Sequence, residues 1–133
     1  MSPETKKKIL VIDDEEALVE ALSARLESAG YAVLSAYTGE KGLQLARTEL
    51  PDAIILDIYL PGEDGLAIIK QLKRPIDPQT GDPSKTRKIP VIVLTGKAEK
   101  MEDMFQMEEC FAFFTKPFDS KELLASVAKA AGA

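Results

Sequence analysis

Three short apolar runs each end on an oxygen-bearing side chain. Ile9-Leu10-Val11-Ile12 leads into Asp13-Asp14, Ala53-Ile54-Ile55-Leu56 into Asp57, and Val91-Ile92-Val93-Leu94 into Thr95. A fourth run, Cys110-Phe111-Ala112-Phe113-Phe114, leads into Thr115-Lys116-Pro117. Brought together, these side chains suit a divalent cation and a phosphoryl group. Clustered carboxylates repel one another and stay ionised at neutral pH only beside a compensating cation. An all-oxygen donor set favours Mg²⁺ or Mn²⁺ over zinc. The chain has no histidine, so any histidine chemistry must come from another molecule. Taken alone, Asp13-Asp14 reads as a helix N-cap pair and Asp57 as a strand-end turn residue. Their joint placement with Thr95 and Lys116 favours a site.

Continuous β-branched runs of this length predict strands buried on both faces of a parallel sheet. Strand and helix signals alternate along the chain, the pattern of βα units. The expected strands cover about 9–13, 32–36, 53–57, 90–95 and 111–115. The expected helices cover about 15–28, a stretch following Thr38, 65–73, 98–108 and 119–131. The first turns its Leu18, Ala21, Leu22, Arg25 and Leu26 inward and stops at Gly30. Thr38 is the expected N-cap of the second, with Leu43, Leu45 and Ala46 inward. Asp64 caps the third, whose buried face is Leu66, Ile69 and Leu72. Met101, Met104 and Phe105 read as a core stripe on the fourth, with Met107 off it. Pro75, Pro78, Gly81 and Pro83 exclude a regular element from 74–88, which reads as a solvated loop. Right-handed crossovers then give a doubly wound α/β sheet in the order 2-1-3-4-5. Ligands in such sheets bind beyond the carboxyl ends of the strands, which is where the acids, Thr95 and Lys116 fall.

Bulk properties narrow the partners. The chain of 133 residues is 45% hydrophobic and 29% charged, ordinary for a globular domain. One domain over 9–131, with a flexible stretch over 1–8, is expected. A net charge of −5 argues against a nucleic-acid surface. No apolar stretch approaches the roughly 20 residues needed to span a bilayer. Lys6-Lys7-Lys8 followed by Ile9–Ile12 is too short for a signal peptide and ends on two acids. The single Cys110 excludes an internal disulfide, reads as a small buried hydrophobe, and fits a reducing, cytoplasmic compartment.

The chain resembles the receiver domains of two-component response regulators over about residues 7–131. The resemblance is carried by Asp13-Asp14, Asp57, Pro61 through Asp64-Gly65, Thr95, and Thr115-Lys116-Pro117-Phe118 in order. It implies a flavodoxin-like fold and transfer of a phosphoryl group from a phosphohistidine to an aspartate. The donor is a sensor histidine kinase or a His-phosphotransfer protein. Asp57 would be the phosphoacceptor. Asp14 would bind Mg²⁺ directly, Asp13 largely through water, and the Tyr59 backbone carbonyl would complete the protein ligands. Lys116, before a cis peptide to Pro117, would pair with the phosphoryl oxygens. Thr95 would hydrogen-bond them, and Phe113 sits at the family's aromatic switch position.

The chain departs from the family pattern in places. The 74–88 loop is longer than usual, and Glu109-Cys110 replaces a frequent Gly-Ala turn. Phe113 lacks the hydroxyl of many relatives, so a switch there must work by packing. Tyr59 and Lys97 flank the expected path of attacking water and predict slow self-dephosphorylation. Nothing follows the last expected helix except Gly132-Ala133, so no output domain is expected in the sequence given. A downstream protein partner, or self-association, would then use the face made by 98–108, 111–115 and 119–131. The alternative is a phosphohydrolase of the haloacid-dehalogenase type. That family wants a second Asp two residues after the nucleophile, where this chain has Tyr59. A dinucleotide-binding domain is disfavoured, because no G-x-G-x-x-G follows the first strand.

Overall fold

Alternate residues of the central strands face opposite ways, and helices cover both faces. The structure is a computed structural model that describes residues 6–96 and 110–132. In chain order the elements are β1 (Lys8–Ile12), α1 (Glu16–Ser28), β2 (Ala32–Ala36), α2 (Gly39–Glu49), β3 (Ala53–Asp57), α3 (Gly65–Leu72), a 3₁₀ turn (Thr86–Lys88), β4 (Val91–Thr95), β5 (Ala112–Thr115) and α4 (Ser120–Ala131). All strand pairs are parallel, in the order β2-β1-β3-β4-β5. The expected helix over 98–108, with Lys97, Met101, Met104, Phe105 and Met107, lies outside the described residues.

Two cores result. Leu10, Ile12, Ile54, Leu56, Val91 and Val93 pack with residues of α2 and α3 on one face. Ile9, Val11, Ile55, Ile92 and Leu94 pack with Val19, Leu22 and Leu26 of α1 and Leu123 and Val127 of α4 on the other. This two-sided burial is why β1, β3 and β4 read as unbroken apolar runs. Each fully buried Ile or Leu contributes about 2 kcal/mol relative to exposure.

The starts of α2 and α3 carry the caps expected of them. Thr38 Oγ1 accepts from the Lys41 amide at 3.2 Å, and Asp64 Oδ1 accepts from the Leu66 amide at 2.9 Å. Asp119 Oδ1 does the same for Lys121 at 2.8 Å in α4. Gly30, at φ +100°, takes the left-handed conformation that ends the turn after α1.

Several local expectations need correction. The buried stripe of α1 is Val19, Leu22 and Leu26, while Ala21 and Arg25 are exposed and Leu18 is half-buried. The i, i+3, i+7 set containing Val19 faces the sheet, and the parallel set one position earlier borders solvent. In α3, Ile68 is buried beside Ile69 and Leu72, and Leu66 only half-buried. β5 is half-buried along its length and Phe111 is exposed, because β5 lies at the end of the sheet order rather than inside it. Cys110 is likewise half-buried. β1 starts one residue early, at Lys8, whose amide donates to Asp52 Oδ2 at 2.8 Å.

The 74–88 loop is more regular than its prolines and glycine suggest. Ile76 and Pro83 form an antiparallel bridge, flanked by Asp77 N–H to Asp82 C=O at 2.9 Å and Ser84 N–H to Pro75 C=O at 3.0 Å. The bridging bonds use the neighbours' amides, so the missing N–H of Pro83 costs nothing. A 3₁₀ turn then leads to β4.

Candidate functional site

Register alone assembles the site. Ile12 pairs with Leu56, so Asp13 falls level with Asp57. Asp57 pairs with Leu94 and Thr95 with Thr115, so Thr95 and Lys116 extend from the same edge. Carboxylate oxygens of Asp13, Asp14 and Asp57 lie within 4.8 Å of one another. Asp13 and Asp57 are buried and Asp14 is exposed, which leaves one open side.

One ammonium holds the cluster. Lys116 Nζ lies 2.9 Å from Asp13 Oδ2, 3.1 Å from Asp57 Oδ2 and 2.8 Å from Glu15 Oε1. The Lys116 backbone is fixed by its N–H donating to Thr95 C=O at 2.8 Å, and the Lys116–Pro117 peptide bond is cis. Burial pulls the Lys116 ammonium toward deprotonation. Its bonds to Glu15, Asp13 and Asp57 outweigh this and hold it above its usual range. Burial raises the Asp13 carboxyl above its usual 3.8; the Glu15 amide and Lys116 oppose that shift, and Asp57 adds to it.

Of the residues expected from the sequence, Asp13, Asp14, Asp57 and Lys116 meet directly. Thr95 is fully buried at the end of β4. Tyr59 donates its amide to Asp57 Oδ1 at 2.9 Å, which folds the chain back on the acid. Gly65 completes this loop: its N–H reaches Ile58 C=O at 3.2 Å, and an added Cβ would stand 2.5 Å from that oxygen. Phe113 is half-buried against the core on the α2–α3 side. Two residues were missed. Glu15, third in the acidic run Asp13-Asp14-Glu15, touches Lys116, and its amide donates to Asp13 Oδ1 at 3.0 Å. Its position in that run was the available signal. Glu63 carried none, because its partners belong to α2, more than twenty residues away.

The donor set fits a hard cation. Three carboxylates converge with one open side, and among the described residues the Lys116 ammonium is shared by Asp13, Glu15 and Asp57.

Comparison with known proteins agrees with this geometry. Residues 9–128 match the model of the response regulator receiver domain. The chain is 39% identical over 122 residues to the alkaline phosphatase synthesis transcriptional regulatory protein PhoP of Bacillus subtilis, covering 91% of this chain and 47% of that protein. It thus spans about half the length of that curated relative. A response regulator receiver domain protein from Clostridium thermocellum superposes with a TM-score of 0.79 at 28% identity, covering 95% of this chain and 94% of that one. The receiver domain of the sensor histidine kinase PA1611 from Pseudomonas aeruginosa PAO1 carries a magnesium ion in its active site cleft. It shares the fold with a TM-score of 0.80 at 24% identity, over 97% of this chain and all of that one. No helix among the described residues is long and apolar enough to cross a membrane.

Proposed function

This chain belongs to the response regulator receiver-domain family of two-component signalling, and from that premise we propose that Asp57 is its phosphoacceptor. The phosphohydrolase alternative falls away with the family match. Receiver domains are phosphoacceptor signalling domains that interact with histidine kinases or phosphotransfer proteins. The observation that carries the assignment to Asp57 is its place between two opposite influences. Asp13 and Asp14 crowd it with negative charge, and Lys116 Nζ stands 3.1 Å from its Oδ2.

In the transfer, a carboxylate oxygen of Asp57 attacks the phosphorus of a phosphohistidine. The bond from phosphorus to the imidazole nitrogen breaks, and the imidazole departs with that electron pair and takes a proton. Charge on the transferring group is spread over three oxygens. Lys116 swings from Asp57 Oδ2 to one of them, and the Thr95 hydroxyl donates to another. Asp14, Asp13, Asp57 and the Tyr59 carbonyl would hold Mg²⁺, or Mn²⁺ in its place. The ion supplies charge neutralisation to the incoming phosphoryl group. Thr95, drawn inward, frees space into which Phe113 repacks, and this biases β5 and α4 toward a downstream partner or self-association. We place this exchange in the cytoplasm, with no direct nucleic-acid contact by this domain.

The test is incubation with Mg²⁺ and a small phosphodonor. The expected product carries one phosphoryl group, stable in acid and labile in base. Asp57→Asn and chelation of the metal should each abolish it. Modification that survives both would remove Asp57 from this role.

A further inference from the structure

The segment between Asp57 and α3 does more than close a turn. Glu63 reaches across to the start of α2, where its Oε2 accepts from the Gly39 amide at 2.7 Å and its Oε1 from the Glu40 amide at 3.1 Å. The first turn of a helix leaves its amides without intrahelical partners. In α2 the Lys41 amide is answered by Thr38 and the first two amides by Glu63, a residue of another loop. Glycine at 39 leaves room for this approach: an added Cβ would press on the end of the Ile68 side chain and stand 3.0 Å from Glu63 Oε1.

The same segment is pinned at its other end to the acceptor. Tyr59 N–H donates to Asp57 Oδ1 at 2.9 Å, and Glu63 N–H donates to Leu60 C=O at 3.1 Å. A short run of hydrogen bonds thus joins the Asp57 carboxylate to the N-terminus of α2. We propose that Glu63 is a positioning residue that fixes the 58–64 segment, and with it the Tyr59 carbonyl, for the metal, and that it makes the start of α2 report on occupancy of the site. This rests on the reading of Asp57 and Tyr59 given above. Coupling of this kind is reciprocal: if the carboxylate clamp favours the metal-binding arrangement of the segment, metal binding must tighten the clamp.

Glu63→Gln keeps the length, but its amide offers one acceptor where two donors wait, and its NH₂ faces an N–H. Glu63→Ala removes both bonds.

The experiment measures amide exchange at Gly39 and Glu40, and Mg²⁺ affinity by calorimetry, in wild type, Glu63→Gln and Glu63→Ala. In wild type, saturating Mg²⁺ should slow exchange at both amides. In Glu63→Ala the metal-dependent change should vanish and Kd for Mg²⁺ should rise about fivefold or more, with Glu63→Gln between. A purely structural cap gives faster exchange in the variants but leaves Mg²⁺ affinity unchanged and exchange insensitive to the metal in all three proteins, and that result overturns the proposal. Asp57→Asn separates the two readings. If wild type and Asp57→Asn bind Mg²⁺ equally, the site assignment fails. If Asp57→Asn binds weakly while wild-type exchange at 39 and 40 ignores Mg²⁺, only the coupling fails.

Discussion

Two polar segments flank α3, and they are held in opposite ways. In the 58–64 segment before it, carboxylates answer amides across the fold: Asp57 accepts from the Tyr59 amide, and Glu63 of the segment accepts from Gly39 and Glu40 at the start of α2. The excursion after it is satisfied by its own groups and by the end of α3. Asp77 Oδ1 accepts from the Gln79 amide at 2.8 Å, Thr80 Oγ1 from the Asp82 amide at 3.2 Å, and Asp77 C=O from Gly81 N–H at 2.8 Å. The buried Thr86 hydroxyl donates to Leu72 C=O at 2.7 Å, and Lys73 Nζ donates to the carbonyls of Arg87 and Ile89. Both segments are ordered, so order does not mark the site. What marks it is surplus charge: Asp13, Glu15 and Asp57 share the Lys116 ammonium, and Asp14 adds a further carboxylate beside Asp13 and Asp57. The Asp77 carboxylate of the excursion, by contrast, takes up its own loop's backbone.

Exchanging the two lysines is the strongest way to break this comparison. Lys116→Met leaves buried Asp13 and Asp57 without their cation. The metal-free protein should lose about 2 kcal/mol in a urea melt, less than for a fully buried pair because Lys116 keeps some exposure. Phosphoryl acceptance at Asp57 should slow about 100-fold, the cost of removing one stabiliser of the transferring charge. Added Mg²⁺ should restore part of the stability, since it replaces the missing cation. Lys73→Met should cost about 1 kcal/mol and leave phosphorylation unchanged. Equal phosphorylation defects in the two variants would erase the distinction.

The next effect is smaller and sharpens the roles within the acid cluster. Asp14→Ala should raise the Kd for Mg²⁺ more than Asp13→Ala, by calorimetry at neutral pH, if Asp14 is the direct ligand. Asp13 adds a pH dependence. Its folded-state carboxyl lies above 3.8, with burial the main cause, so in the metal-free protein it favours folding most below its unfolded value. That contribution is lost as pH rises through the folded value, whereas metal binding requires the ionised form. The rise in Tm caused by Mg²⁺ should therefore grow from pH 4.5 to pH 7, and the growth should flatten in Asp13→Asn. A metal-induced shift independent of pH would take Asp13 out of the metal's surroundings.

The sheet and most of this cluster were legible because strand ends are local facts. An apolar run that stops on an acid announces both the strand and the side chain at its tip, and the strand order follows from crossover handedness. Asp13, Asp57, Thr95 and Lys116 needed no more than that. In α1, Leu22 and Leu26 were legible as inward, but Leu18, Ala21 and Arg25 were counted with them and Val19 was not; the packed sheet decides which of two adjoining stripes it covers. The place and edge position of β5 were legible, but its half-burial was not, because aromatic residues at a sheet edge resemble those inside a sheet. Glu63 lay beyond sequence reasoning altogether, since its partners are amides of a helix start, which carry no residue-type signature. The bridge between Ile76 and Pro83 was hidden by the rule that prolines break strands, which holds only where the missing N–H is needed.

The smallest expected effect probes the excursion at its most buried polar point. Thr86 sits at 5% exposure, with its hydroxyl donating to Leu72 C=O and 3.0 Å from Ser84 Oγ. Thr86→Val keeps the shape and removes both contacts. Leu72 C=O is among the last carbonyls of α3, which lack intrahelical partners, and the bond lost at it is buried. Stability should fall by about 1 kcal/mol. Because the site is a separate cluster with no shared partner, the rate of phosphoryl acceptance should stay within about twofold of wild type. A stability loss of that size with an unchanged rate places the excursion outside the chemistry. A rate that falls with stability would mean that the end of α3 sets the position of the 58–64 segment at its start, and the contrast between a charged loop that acts and a satisfied loop that only holds would have to be given up.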